Sequence, residues 1–134
     1  MFAAQTNRVL IVDEEPEFRK TLSRVLGNEG YDIQIAHPDN EAMLAAGEQR
    51  PDLVVLEMGR PRSAGLRFLR ALRSVPGCSH VPVILLTSQE RNADMDEARK
   101  LGVRDHLVMT QFSTRSLRSA VRSNLRNKSE PGMN

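Results

Sequence analysis

Three uninterrupted apolar runs, Val9 to Val12, Leu53 to Leu56 and Val83 to Leu86, punctuate the chain. None alternates with polar positions, which is how strands covered on both faces of a parallel sheet read. Tyr31 to Ala36 alternates in part and predicts a strand at a sheet edge, and His106 to Met109 predicts a short fifth strand. Between these runs the apolar spacing becomes helical. Phe18, Leu22, Val25 and Leu26 mark a helix that opens after Glu14-Glu15-Pro16 and closes at Gly27 or Gly30. Pro38-Asp39-Asn40 starts a helix over Glu41 to Gln49, with Met43, Leu44 and Ala46 or Gly47 expected inward and Arg50-Pro51 closing it. The loop Gly59 to Gly65 leads to a third helix with Leu66, Leu69 and Leu72 on one face and Arg67, Arg70 and Arg73 on another, ended by Pro76-Gly77-Cys78-Ser79. Asn92 to Leu101 turns Met95, Ala98 and Leu101 inward and stops at Gly102. A last helix begins at Ser113 or Thr114, with Leu117, Val121 and Leu125 inward.

Strict alternation of strands and helices implies right-handed crossovers, hence an α/β fold: five parallel strands with helices on both faces. The 134 residues, 40% of them hydrophobic, suffice for one core. The expected organisation is a single domain over residues 1–127, with 128–134 a flexible tail or linker stub. No apolar run approaches bilayer length and Met1 to Thr6 lacks the features of a signal peptide, so no membrane association is expected and the cytoplasm is the default compartment. Cys78 is the sole cysteine and has no disulfide or metal-clip partner within the chain. Arg115, Arg118, Arg122 and Arg126 form a stripe on the last helix opposite its apolar residues. A solvated polar face accounts for them, with docking of a protein partner the functional alternative. A net charge of +2 and the lack of interleaved aromatics make nucleic-acid binding by this chain alone unexpected.

Sites in open α/β sheets lie beyond the carboxyl ends of the strands. There the chain places Asp13 and Glu14 after the first strand, Glu57 after the third, Thr87 and Ser88 after the fourth and Met109 after the fifth. Two like charges ~4 Å apart repel by roughly 4 kcal/mol at an effective dielectric near 20, so an acidic pocket of Asp13, Glu14 and Glu57 calls for a counter-charge. Magnesium held by those three acids and the Gly59 carbonyl is one solution. Arg60 or Arg62 folded onto Glu57, or a proton held by one acid, are others. The acidic loop after the first strand disfavours a flavin, whose phosphate wants glycines, hydroxyls and free amides.

Val9-Leu10-Ile11-Val12-Asp13-Glu14-Glu15-Pro16, Pro51-Asp52-Leu53-Val54-Val55-Leu56-Glu57-Met58, Pro61 with Gly65, Val81 to Ser88 and Gly102 to Met109 together resemble the receiver domain of two-component response regulators, from Arg8 to about Leu125. The resemblance implies a flavodoxin-like sheet of order 2-1-3-4-5. It also implies an acid pair for magnesium after the first strand, a phosphoacceptor aspartate after the third, a phosphate-binding hydroxyl after the fourth and a lysine after the fifth. Thr87 matches the hydroxyl, and His106 stands where an aromatic residue of the family's switch swings. Glu57 replaces the phosphoacceptor aspartate and Met109 the lysine. Glutamate displaces the attacking oxygen by about one C–C bond, ~1.5 Å, and methionine removes a cation that phosphoryl transfer uses. The expectation is therefore a degenerate, phosphorylation-independent receiver: a non-enzymatic protein-interaction module in bacterial signal transduction. It is expected to require no cofactor, with magnesium optional, and to be a monomer or weak homodimer. The alternative is a slow magnesium-dependent phosphoacceptor using Glu57 or Asp13.

Overall fold

The computed structural model describes residues 6–58, 64–88 and 93–129. The loop residues Gly59 to Ser63, with the Gly59 carbonyl, Arg60 and Arg62, lie outside it, as do Asn92 and residues 130–134. Five strands, β1 (Arg8–Val12), β2 (Asp32–Ala36), β3 (Leu53–Glu57), β4 (Val83–Thr87) and β5 (Asp105–Val108), alternate with helices α1 (Pro16–Gly27), α2 (Asn40–Glu48), α3 (Ala64–Leu72), α4 (Ala93–Lys100) and α5 (Thr114–Ser129). All pairings are parallel, in the order β2-β1-β3-β4-β5. The partly alternating segment is thus an edge strand, and the three continuous apolar runs are the three central ones.

Period-two geometry divides those runs between two cores. Leu10, Val12, Val54, Leu56, Val83 and Leu85 face α2, α3 and α4, where Ala42, Ala45, Ala46, Leu66, Phe68, Leu69, Leu72 and Ala98 meet them. Val9, Ile11, Leu53, Val55, Ile84 and Leu86 face α1 and α5, packing on Leu22, Leu26, Leu117, Val121 and Leu125. In β3 all four of Leu53 to Leu56 are fully buried. At roughly 1.5–3 kcal/mol for each buried aliphatic side chain, a register slip of this strand is prohibitive.

Helix α1 opens as its sequence predicts: Glu15 caps it by accepting a bond from the Glu17 N–H, and Pro16 occupies the first turn. Helix α2 departs from expectation in phase. Its buried residues are Ala42, Ala45 and Ala46, while Met43 is half-buried, Gly47 exposed and Leu44 63% exposed. Capping sets that phase: Asp39 accepts from the Glu41 N–H and Glu41 accepts from the His37 N–H, and the alanine face that results approaches the sheet closely. Strand β5 ends one residue early. Its last pair is Thr87 with Val108, so Met109 finds no ladder partner and begins a 3-10 turn, Met109–Gln111, closed by the Phe112 N–H on the Met109 carbonyl. Helix α5 continues through Ser129, so Lys128 and Ser129 are helical rather than part of a tail.

Arg73 does not join Arg67 and Arg70 in solvent. Its Nε donates to the Leu101 carbonyl at 2.8 Å, and its Nη1 donates to the carbonyls of Cys78 and Val81 at 3.1 and 2.7 Å. One guanidinium thereby ties the α3–β4 connection to the end of α4. That end is a Schellman turn, with Gly102 at φ +91°, the Val103 N–H on the Ala98 carbonyl and the Gly102 N–H on the Arg99 carbonyl. Leaving three partly buried carbonyls without this donor costs about 2–3 kcal/mol. Arg73→Ala is accordingly expected to lower the unfolding free energy in urea by about that amount, and Arg73→Lys to recover little, since one ammonium cannot reproduce the fork. A Lys variant as stable as the parent would show that the three bonds are not what Arg73 contributes.

Candidate functional site at the strand carboxyl ends

The site is assembled by strand register. Val12 stands beside Leu56, so the next residues, Asp13 and Glu57, leave adjacent strand ends together. Backbone bonds pin both: the Asp13 N–H donates to the Ala36 carbonyl of β2 at 3.2 Å, and the Met58 N–H to the Leu86 carbonyl of β4 at 2.9 Å. Thr87, buried at the end of β4, pairs with Val108, and His106 pairs with Leu85 one step back on the same face. His106 is half-buried beside Met95 and Arg99 of α4.

Asp13 is fully buried. Its Oδ1 accepts the Glu15 N–H at 2.7 Å, turning the chain into α1, while Oδ2 is buried without a hydrogen-bond partner among the described residues. Burial pushes the Asp13 carboxyl up from 3.8 to about 6; the bond from Glu15 and the charge of Arg19 oppose this, and the negative charges of Glu15 and Glu14 add to it. Sequence reasoning missed Arg19. The signal was its position, a cation in the first turn of a helix, where the dipole favours acids.

The expected three-acid cluster does not form. Glu14 is exposed, carried outward by the turn that the Asp13–Glu15 bond creates, and Glu57 is half-buried. Among the described residues no group of three His, Cys, Asp or Glu side chains could hold a metal ion. The orphan Oδ2 of Asp13 would accept a proton or one cation contact. Asp13 and Glu57 are the two acids whose strand ends lie side by side, and a magnesium ion there would draw on them and on water.

Where the resemblance implies a lysine, Met109 is half-buried against the α1–α5 core. Phe18 and Phe112 pack against the same core and meet edge to face, ring centroids 5.7 Å apart. The β5 end of the crevice is thus apolar.

Several known proteins are similar to this chain. Residues 9–122 match the family model of the response regulator receiver domain. The DNA-binding response regulator MtrA of Mycolicibacterium smegmatis is 35% identical over 125 residues, covering 92% of this chain and 53% of that protein. MtrA of Mycobacterium tuberculosis H37Rv is 34% identical, with coverage of 92% and 53%. The chain therefore spans about half the length of these relatives. Among solved structures, the Vibrio cholerae chemotaxis protein CheY4 superposes with a TM-score of 0.80 at 24% identity, over 89% of this chain and 98% of that one. A CheY-like receiver domain protein of Methanospirillum hungatei JF-1 does so with a TM-score of 0.82 at 20% identity, over 96% and 100%. Both of these likenesses speak to the fold.

The state of Asp13 has a thermodynamic signature. Its folded carboxyl titrates at about 6 and its unfolded one at 3.8, so between these values the folded chain holds the extra proton. Stability is then full below about pH 4 and falls as pH rises through about 6, by roughly 2–3 kcal/mol at 1.36 kcal/mol per pKa unit. Asp13→Asn, which keeps an oxygen for the Glu15 N–H, should gain on the parent in urea denaturation as pH rises from about 4 to 7, by up to that amount. A parent–variant difference that does not change with pH would show that the buried carboxylate is stabilised by something else. The family match, the sheet order and the placement of these strand-end residues lead to one conclusion: the chain belongs to the response regulator receiver domain family.

Proposed function

We propose that this chain is a receiver that works without a phosphorylation cycle at Glu57, as a cytoplasmic module that a protein partner recognises in one resting conformation. The observation that carries this reading is the pair of side chains at the two chemically decisive positions, Glu57 and Met109. Phosphoryl transfer relies on positioning and on neutralising charge at the transferring group. Glu57 carries the attacking oxygen about one C–C bond, ~1.5 Å, farther out than aspartate would. Met109 supplies a thioether packed among apolar residues in place of a cation. Glu57 is a constant negative charge where phosphorylated relatives acquire a reversible one, although it has fewer acceptor oxygens than a phosphate.

The DNA binding named for the relatives belongs to proteins nearly twice as long. In this chain the arginine stripe of α5 is committed in part to the domain itself, as Arg122 pairs with Glu29 at 3.0 Å.

Amide spectra recorded with magnesium and beryllofluoride test the proposal. No saturable change is expected around Glu57 and Thr87, and a saturable one there would overturn it. The double variant Glu57→Asp, Met109→Lys should in turn acquire acid-labile, hydroxylamine-sensitive phosphate from a small phosphodonor under conditions in which the parent acquires none. Labelling of the parent itself would favour a slow phosphoacceptor instead.

A further inference from the structure

We propose that the opposite end of the sheet carries a binding site for a small organic phosphate, in the cavity at the amino ends of β4 and β5. This cavity, about 520 Å3, lies between the α3–β4 connection, the α4–β5 connection and α5. Its volume falls in the range of about 300–1,000 Å3 usual for small-molecule sites and exceeds what a bare phosphate fills.

Charge is the first argument. Arg73 and Arg104 line the cavity together with His80, and Asp105 is the single acid among the described lining residues. Asp105 is already engaged, its Oδ2 accepting from Asn124 Nδ2 at 2.8 Å. Arg73 donates only to neutral carbonyls in the bonds that fix it, those of Leu101, Cys78 and Val81. Burial lowers its guanidinium from the ordinary arginine range. A second hollow at the same end of the sheet, about 630 Å3, provides the contrast: its lining holds Arg8 and Arg50 with Asp32 and Asp52, equal numbers of opposite formal charges. The cavity beside β5 has two guanidinium groups against one carboxylate, and an anion completes it.

Shape and donors narrow the class. The Arg104 guanidinium fork, the two N–H groups of Arg73 Nη2 that its carbonyl bonds leave over, and the hydroxyls of Ser79 and Ser123 offer enough donors for the oxygens of a phosphate monoester. Val81 and Pro82 supply an apolar wall for the body that carries it. Gly102 borders this donor: a Cβ at that residue would stand 3.7 Å from Arg73 Nη2. None of these groups belongs to the acidic end, so the proposal stands apart from the reading of Glu57.

Amide spectra of the whole chain, titrated separately with phenyl phosphate, inorganic phosphate and benzoate, decide it. Phenyl phosphate should give saturable shifts at Val81, Gly102 and Asn124, with a dissociation constant of about 1 mM or below. Inorganic phosphate should move the same residues several-fold more weakly, and benzoate should bind no better than inorganic phosphate. Arg104→Glu, at an exposed side chain, should weaken phenyl phosphate by about tenfold or more, with the urea midpoint unchanged; Arg104→Gln, which removes the charge without reversing it, should give an intermediate loss. The proposal is overturned if no saturable shift occurs by about 10 mM, a concentration at which even a millimolar site nears saturation. Equal affinity in the parent and both Arg104 variants, benzoate matching phenyl phosphate, or shifts confined to Asp13 and Glu57 would overturn it as well.

Discussion

Burial of β3 on both faces is the constraint on which the rest depends. Leu53 and Val55 fill one core, Val54 and Leu56 the other, and the neighbouring strands β1 and β4 lock the register. A strand so held cannot shift by one residue without exchanging every side chain between faces. The first position of β3 that is not fully buried is therefore Glu57, and its place beside Asp13 follows from packing, whatever either acid does.

That rigidity makes the electrostatics of the crevice one-sided. Asp13 is buried by the same β2–β1–β3 arrangement, with Arg19 near enough to favour its charge while Arg19 Nε itself lacks a hydrogen-bond partner among the described residues. Desolvation outweighs that attraction, so the proton becomes the available counter-ion. On the β5 side, Met109 and the Phe18–Phe112 pair extend the apolar core toward the same opening. On the proposed reading, the acidic residues at one side and the thioether at the other compensate little of a phosphoryl group's charge.

Most of this was legible in the sequence where the signal was periodic or where an element ended in a residue of fixed chemistry. The continuous apolar runs gave the three central strands, and partial alternation identified β2 as an edge. Helix phase was harder to read: in α2 a leucine outranks alanine by hydropathy, yet Asp39 and Glu41 capping turns the alanines inward and leaves Leu44 in solvent. The convergence of Asp13, Glu14 and Glu57 was overestimated because proximity in sequence does not fix direction. The turn held by Asp13 Oδ1 carries Glu14 outward. Arg73 was invisible as a clamp because its three carbonyl partners belong to segments that only the fold brings together.

A receiver with a fixed charge poses a problem of population. Moving a two-state equilibrium from 1:99 to 99:1 takes about 5.5 kcal/mol of differential binding, and a switch must draw it from something that can come and go. A carboxylate built into the chain exerts its effect in every molecule at all times, so it sets the resting distribution and cannot change it. On the proposed reading, any change must enter through a ligand or partner that binds one arrangement better than another. The acidic end is poorly suited to that role, since burial of Asp13 and packing of Met109 are features of the core itself. The basic end is better placed: Arg73 joins two connections through neutral carbonyls and retains its charge, so an anion bound there would act on the segments that lead into β4 and β5, the strands that carry Thr87 and His106.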